Sequence, residues 1–260
     1  MASSTYPARV LTLRKTKLGE TDLILTLLSE DGTQIRAVAK GARKPSSSFA
    51  SRLDVFCESD VLLVQGKSLD IVKEVRLVDA HRGVRESMER AAIAAVVLDL
   101  MARLSQPELK SPKLYPLTSS ALSSMEKAGV NVALALCAAH MLKAFAFAGF
   151  RPSFDRCVVC GAPIGLSDGA DSYSLAQFSP AEGGAACKSC LLFSDSRQVA
   201  VDVLGHANHL LHATFADIMR DEQISIRLTL EVLHLCQAWV REHVGARLKS
   251  LDFLFSCGLF

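Results

Sequence analysis

"DLILTLLSEDGTQIRAVAK", residues 22–40, decides the fold of the first third of this chain. Two runs rich in apolar and β-branched residues, 22–29 and 33–40, flank "SEDGT" at 29–33. An Asp-Gly pair between such runs signals a hairpin, because the turn needs residues that accept a positive φ. Three similar runs lie outward of it: "ARVLTLR" (8–14), "DVLLVQ" (60–65) and "DIVKEVRL" (70–77), with a second turn at "QGKS" (65–68). Five short strands joined by tight turns predict a small β-barrel over residues 1–80 rather than an open sheet. Alternation is only partial, so the pattern leaves the barrel type open.

After residue 80 the period changes. "VRESMERAAIAAVVLDLMARL" (84–104) has apolar residues at helical spacing. "PKLYPLTSSALSSMEKAG" (112–129) predicts a helix stopped by Gly129. "NVALALCAAHMLKAFAFAGF" (131–150) is apolar nearly all round, as a helix buried in a bundle would be. Further helices are expected at about 198–219 and 224–246, with the tail "SLDFLFSCGLF" packed on the bundle. The predicted class is α+β in two domains: a β-barrel at 1–80, then an all-α helical domain at 81–260 with a Cys-rich insertion at about 151–194.

The 260 residues are 50% hydrophobic, enough for a sizeable core, and the formal net charge of +2 says little about partners. The N-terminus has no apolar leader pattern, and charged or His residues break the apolar stretches before the roughly 20 residues of a membrane span. A soluble, cytoplasmic protein without membrane association is expected. Disulfides are rare there, so paired cysteines point to metal or redox use.

Such pairs are present: Cys157-x2-Cys160, a gap of 26 residues, then Cys187-x2-Cys190. Two CxxC turns bring four thiolates to one ion, and zinc prefers four tetrahedral ligands. With all ligands from protein no open position remains, so the expected zinc is structural and single. It would staple a segment of Gly, Pro, Ser and Cys too polar to fold alone, with Gly161 and Gly183-Gly184 allowing tight turns. Four reduced thiols are the plainer alternative, and a redox CxxC lacks its strand–CxxC–helix setting. Cys57, Cys137, Cys236 and Cys257 stand singly among apolar neighbours and read as small hydrophobes.

"RAVAKGARKPSSSFASR" (36–52) holds Arg36, Lys40, Arg43, Lys44 and Arg52 and no acid. "ARVLTLRKTKLG" (8–19) adds Arg9, Arg14, Lys15 and Lys17. If Ile35, Ala37 and Ala39 face the core, Arg36 and Lys40 face outward, and Arg43 and Lys44 project from a loop. Such a surface suits phosphates, although a merely solvated rim has the same composition. Phe49 and Phe56 are the only aromatics nearby, which favours contact with the nucleic-acid backbone over base readout.

No phosphate loop, dinucleotide fingerprint, HExxH or GxSxG is present. His206, His209 and His212 recur on one helix face without a carboxylate or cysteine to complete a metal shell. His140 lies in the all-apolar helix, and Glu86, Glu89 and Asp99 lie on an ordinary amphipathic one. Nothing here argues for an enzyme.

Three stretches together resemble the RecO family of bacterial recombination mediators. They are "GETDLILTLLSEDGTQIRAVAKGARKPSS" (19–47), "AGFRPSFDRCVVCGAP" (148–163) and "EGGAACKSC" (182–190), and the likeness runs in order over nearly the whole chain. The resemblance implies an OB-fold, then a helical domain with a zinc module. It implies non-enzymatic work in DNA repair and recombination: binding single- and double-stranded DNA, annealing strands, and helping load RecA on DNA coated with single-strand-binding protein. Implied partners are RecR and the acidic C-terminal tail of the single-strand-binding protein, and the implied location is the nucleoid. The Ala-Lys-Gly-Ala-Arg match marks Lys40 and Arg43 as DNA-contact candidates, beside Arg14, Lys15, Lys17, Arg36 and Lys44 from the acid-free runs. Helix 131–150 has only Lys143 as a permanent cation, so it offers no strongly basic groove for the tail. Two rivals stand: a zinc-stapled protein-interaction module that does not bind DNA, and a metal-dependent nuclease or deaminase. The closed four-thiolate pattern and the missing HxE motif speak against the second rival.

Overall fold

Gly32 closes the Asp-Gly hairpin at a φ of +83°, its N–H donating to the Ser29 carbonyl at 2.9 Å. A β-carbon there would lie 1.9 Å from the Ser111 carbonyl oxygen, so both the turn and its neighbour require glycine. The computed structural model of the chain describes residues 4–47, 49–166, 174–190 and 196–258. They divide into two units, Met1–Glu126 and Lys127–Phe260.

In the first unit β1 (Thr5–Leu18), β2 (Asp22–Ser29), β3 (Gln34–Ala39), β4 (Glu58–Val64) and β5 (Asp70–Asp79) form a closed barrel in the order β1-β2-β3-β5-β4. That order, with β4 closing on β1 and β3 parallel to β5, matches an OB-fold. The expectation of five short strands fails at β1, which is 14 residues long. Its first half pairs with β4 and its second with β2, because one strand must serve both edges for the sheet to close. A bulge at Leu13 separates the Thr12–Leu27 pair from the Arg14–Thr26 pair.

Val10, Leu25, Leu27, Ala37, Ala39, Val61, Leu63, Val72 and Val75 fill the interior, and Ala42 and Leu53 join them from the 40–57 loop. Leu11 and Leu28, paired across β1 and β2, are buried on the opposite face. Helix α2 (Met88–Leu104) packs on these two strands, and α1 (Arg82–Arg85) and α3 (Leu114–Met125) pack against α2. The Ser87 hydroxyl caps α2, accepting from the Arg90 N–H at 3.2 Å. Helix α3 stops at Met125, short of the expected stop at Gly129. Gly129 has a φ of −68° and begins the next helix, so it never uses the left-handed freedom that makes glycine a terminator.

In the second unit α4 (Val130–Phe147) is buried from Ala133 through Leu142 and packs against α5 (Val201–His212), α6 (Phe215–Arg220) and α7 (Ile226–Val244). By length and composition alone α4 could cross a membrane, but 67% of it is buried inside the protein. The helix expected over 198–219 is broken. Residues 197–200 form a strand, and Thr214 starts α6 with a reciprocal capping box to Asp217. The tail forms α8 (Lys249–Ser256), with Leu251 and Leu254 buried. The domain is not all helix: β6 (Leu175–Ser179), β7 (Gly184–Ala186) and β8 (Arg197–Ala200) make a small sheet in the order β7-β6-β8. The sequence allows a small hairpin over "DSYSLAQFSP" (171–180) to fill the gap between the two cysteine pairs; its first three residues lie outside the described residues, and Leu175–Ser179 form β6.

Candidate metal centre and candidate nucleic-acid interface

Two short turns place the thiols. The Gly161 N–H donates to the Cys157 carbonyl at 2.9 Å, with Gly161 at φ +74°, and the Cys190 N–H donates to the Cys187 carbonyl at 3.1 Å. The strand before the second pair runs against the segment before the first. Ala185 N–H donates to Ser153 O at 2.9 Å, and Val158 N–H to Ala185 O at 3.0 Å. Gly184 permits this approach, since at φ +149° a β-carbon would lie 2.2 Å from the Ser153 carbonyl oxygen. Beneath, Phe154 stacks on Phe178 at 5.9 Å between ring centres.

The Sγ atoms of Cys157, Cys160, Cys187 and Cys190 all lie within 4.8 Å of one another. Cys160 and Cys187 are 3.8 Å apart, far beyond the roughly 2.05 Å of a disulfide. Four sulfurs each about 2.3 Å from a zinc ion form a tetrahedron with edges of about 3.8 Å. The donor set fits such an ion. Burial pushes the Cys157 thiol up, but N–H groups of Cys160, Cys187 and Val159 outweigh it and bring it down to about 6. Hydrogen bonding to the thiols of Cys160 and Cys187 pushes Cys190 up to about 12. Four thiolates so close repel one another, and a divalent cation removes that repulsion.

The helical histidines do not converge. His206 Nε2 bonds the Thr229 hydroxyl at 2.9 Å, His209 faces Asp221 at 3.8 Å and His212 meets Arg151 at 2.6 Å. His140 is fully buried, and desolvation holds it down at about 3. Cys57, Cys137 and Cys236 are buried, whereas Cys257 is half-buried.

The barrel cations sort by strand register. Arg14, Thr26 and Arg36 form one row across β1, β2 and β3 on the outer face. Lys15 pairs with Leu25 and so starts on the inner row, where its amine turns to the Asp54 carboxylate. Arg14 is paired with Asp99 at 3.2 Å. Arg43 Nη1 donates to the carbonyls of Gly19 at 3.0 Å and Glu20 at 2.8 Å, tying the 40–57 loop to the β1–β2 turn. Arg9 belongs to an ion pair with Asp60, which Arg76 shares.

Lys17, Arg36, Lys40 and Lys44 are exposed and make no ion pair among the described residues. Ala37 and Ala39 are 0% exposed, so the alternation that turns Arg36 and Lys40 outward holds. Asp22 tempers this end of the barrel. The Gly41 N–H, the Thr21 hydroxyl, and Lys40 and Lys44 nearby hold its carboxyl below the usual range.

Two cations escaped the sequence reading. Lys67 lies in the β4–β5 loop and Lys73 on β5, both exposed. β5 runs parallel beside β3, pairing Ala37 with Asp70 and Val38 with Ile71, and continuing that register brings Lys73 beside Lys40. Asp70 and Glu74 interrupt the local run of charge, so only the pairing places Lys73 beside the other cations.

The family model described as Recombination protein O N terminal matches residues 1–81, and that described as Recombination protein O C terminal matches residues 85–252. A protein of Bifidobacterium longum (strain DJO10A) named DNA repair protein RecO is 32% identical over 258 residues, covering 97% of this chain and all of the relative. One of the same name from a Nocardioides species is 30% identical over 251 residues, covering 96% of this chain and 98% of the relative. Another, from Caldanaerobacter subterraneus, is 28% identical over 246 residues and covers 94% of each chain.

Proposed function

Because the chain belongs to the Recombination protein O family, a family of DNA repair proteins, we propose that it is a non-enzymatic recombination mediator. It binds single- and double-stranded DNA, promotes annealing of complementary strands and helps load RecA on DNA coated with single-strand-binding protein. The observation that carries this reading is the end of the barrel where Lys17, Arg36, Lys40 and Lys44 stand exposed and unpaired by acids among the described residues. In OB-folds the β2–β3 face and the β1–β2 and β4–β5 loops hold oligonucleotides.

Cations there neutralise phosphates and release counterions, which lowers the repulsion between two strands brought together. Duplex formation is downhill, so no nucleotide need be hydrolysed. Residues 1–80 bind DNA. Residues 81–260 hold RecR and the acidic tail of the single-strand-binding protein. One structural zinc on Cys157, Cys160, Cys187 and Cys190 closes the module near 151–194. The protein works in the cytoplasm, on the nucleoid. Arg14, Lys15 and Arg43 stay in the DNA-binding set in a supporting position, since each already holds a neighbour.

The engagement of those three cations favours one second reading, an interaction module without direct DNA contact. Fluorescence anisotropy on labelled single-stranded DNA across a salt series, with zinc assayed, decides. Tight binding with a steep negative salt slope supports the mediator, and strand annealing is the next assay. No binding at low salt by zinc-loaded protein leaves the interaction module.

A further inference from the structure

A second convergence of ligating side chains lies in the first unit. His81, between β5 and α1, is 1% exposed and takes a left-handed φ of +42°, an uncommon conformation for a residue with a β-carbon. Its Nε2 lies 3.0 Å from Glu58 Oε1, and the other Glu58 oxygen accepts from the Tyr115 hydroxyl at 2.9 Å. Its Nδ1 faces two more carboxylates, Glu126 Oε2 at 3.4 Å and Asp79 Oδ2 at 4.0 Å.

Each of those carboxylates is aimed by the backbone. The Gly83 N–H holds Glu126 Oε1 at 2.9 Å, and the His81 N–H holds Asp79 Oδ1 at 2.8 Å. The second oxygen of each is thereby turned toward the same imidazole nitrogen, and the three ligating atoms lie within 4.8 Å of one another.

We propose that Asp79, His81 and Glu126 bind a divalent transition cation, with Glu58 as the outer partner of the histidine. Three features of the geometry lead there. Glu58 takes the Nε2 proton, so Nδ1 is the nitrogen that would ligate once a cation displaces its proton, the carboxylate–histidine–metal relay common at such centres. The 3.4 Å between Nδ1 and Glu126 is long for a charge-assisted N–H···O bond, which runs about 2.7–2.9 Å. It equals the edge between two ligands each about 2.0–2.1 Å from one tetrahedral ion. Three carboxylates around one imidazole also leave an excess of negative charge that a divalent ion balances. One nitrogen and two oxygens suit the manganese-to-zinc series. The Asp79 side chain is 50% exposed, so water can complete the shell. The ion joins the end of β5, the start of α1 and the end of α3, pinning helices to barrel.

The test uses the full-length chain with its thiol cluster loaded with zinc, titrated with manganese chloride and followed by electron paramagnetic resonance of free Mn2+. Manganese is a poor match for thiolates, which keeps the two centres apart. The expected result is about one Mn2+ held per chain, with affinity lowered about tenfold or more in Glu126→Gln and in Asp79→Asn, and unchanged in Glu20→Gln, in the β1–β2 turn at the end of β1 remote from Glu58. Circular dichroism checks that each variant is folded. Asp79→Asn, at a half-exposed position, decides should Glu126→Gln fail to fold. Selective paramagnetic broadening of the His81 imidazole resonances in the unaltered protein supports the site independently of any variant. A His81 signal that stays sharp at saturating Mn2+, or Mn2+ uptake indifferent to both carboxamide variants, overturns it.

Discussion

Four thiols within 4.8 Å of one another share a single focus, whereas the cations of the barrel spread along strands and loops with none. The thiols are set by two tight turns, each only four residues long, so motif and site are nearly the same object. The cations are sorted by neighbours distant in sequence. Asp99 takes Arg14, Asp54 takes Lys15, and the carbonyls of Gly19 and Glu20 take Arg43. A converging site can be recognised from spacing. A charged surface can be recognised only after its internal pairings are known.

The largest expected effect breaks the converging side. Cys160→Ser, or Gly184→Ala with its clash against Ser153, should abolish stoichiometric zinc and remove several kcal/mol of stability, with an unfolding midpoint about 10 °C lower. Zinc content and thermal circular dichroism measure both. Full zinc occupancy in Cys160→Ser would show that the four thiols do not act as one set.

On the diverging side, Lys17→Ala, Lys40→Ala and Lys44→Ala combined should flatten the salt dependence of single-stranded DNA binding by about 2 in log–log slope, at about 0.7 per phosphate contact. Arg43→Ala should leave that slope nearly intact and instead lower barrel stability by about 1–2 kcal/mol through its lost carbonyl bonds. If Arg43→Ala alone reproduced the triple variant, the division between tied and open cations would fall.

A third effect tests whether the second unit leans only on its thiols. His140 is buried in α4 with its pKa held down at about 3, against 6.5 when solvated. Above pH 6.5 neither folded nor unfolded chain takes that proton, and stability is whole. Below it the unfolded chain is protonated and the folded one is not, so stability falls as pH drops toward 3. The loss is at most about 1.4 kcal/mol per pH unit, or about 2 kcal/mol at pH 5. Urea unfolding at pH 7 and pH 5 should show it, and His140→Gln should flatten the difference. An equal acid loss in His140→Gln would assign the effect to other groups.

Arg14→Ala should have the smallest effect. Its pair with Asp99 is over half exposed on the arginine side, and stability should change by no more than about 0.5 kcal/mol. A larger loss in chemical denaturation would move Arg14 from the rim to the framework.

Much of the fold was legible where its causes are local. The hairpin at 22–40, the buried helix α4 and the cysteine turns each follow from residues within a few positions of one another. The double service of β1 was not legible, because its two partners begin at residues 22 and 58. The parallel pairing of β3 with β5 depends on barrel closure, and with it the place of Lys73. The break at Thr214 was legible in principle, since Thr-x-x-Asp is a capping signal, but helical periodicity across it overrode that signal. The Glu58–His81–Tyr115 network joins residues up to 57 positions apart and left no mark in any single run.

The bulge at Leu13 gives β1 a phase as well as a composition. Past it, Arg14 shares the outer row with Thr26, and Lys15 sits opposite Leu25, which is 0% exposed. With Leu13 deleted, Thr12 would still pair with Leu27 and Arg14 with Thr26, so the ladder would run through without the bulge. The four side chains from Arg14 to Lys17 would keep their faces, and the strand would lose its kink and one buried leucine. A lost codon here is therefore a lighter event than a one-residue slip elsewhere in the sheet, where every side chain beyond it would exchange faces. Away from the bulge, the rim of the barrel is inherited as a count of residues as much as a list of them.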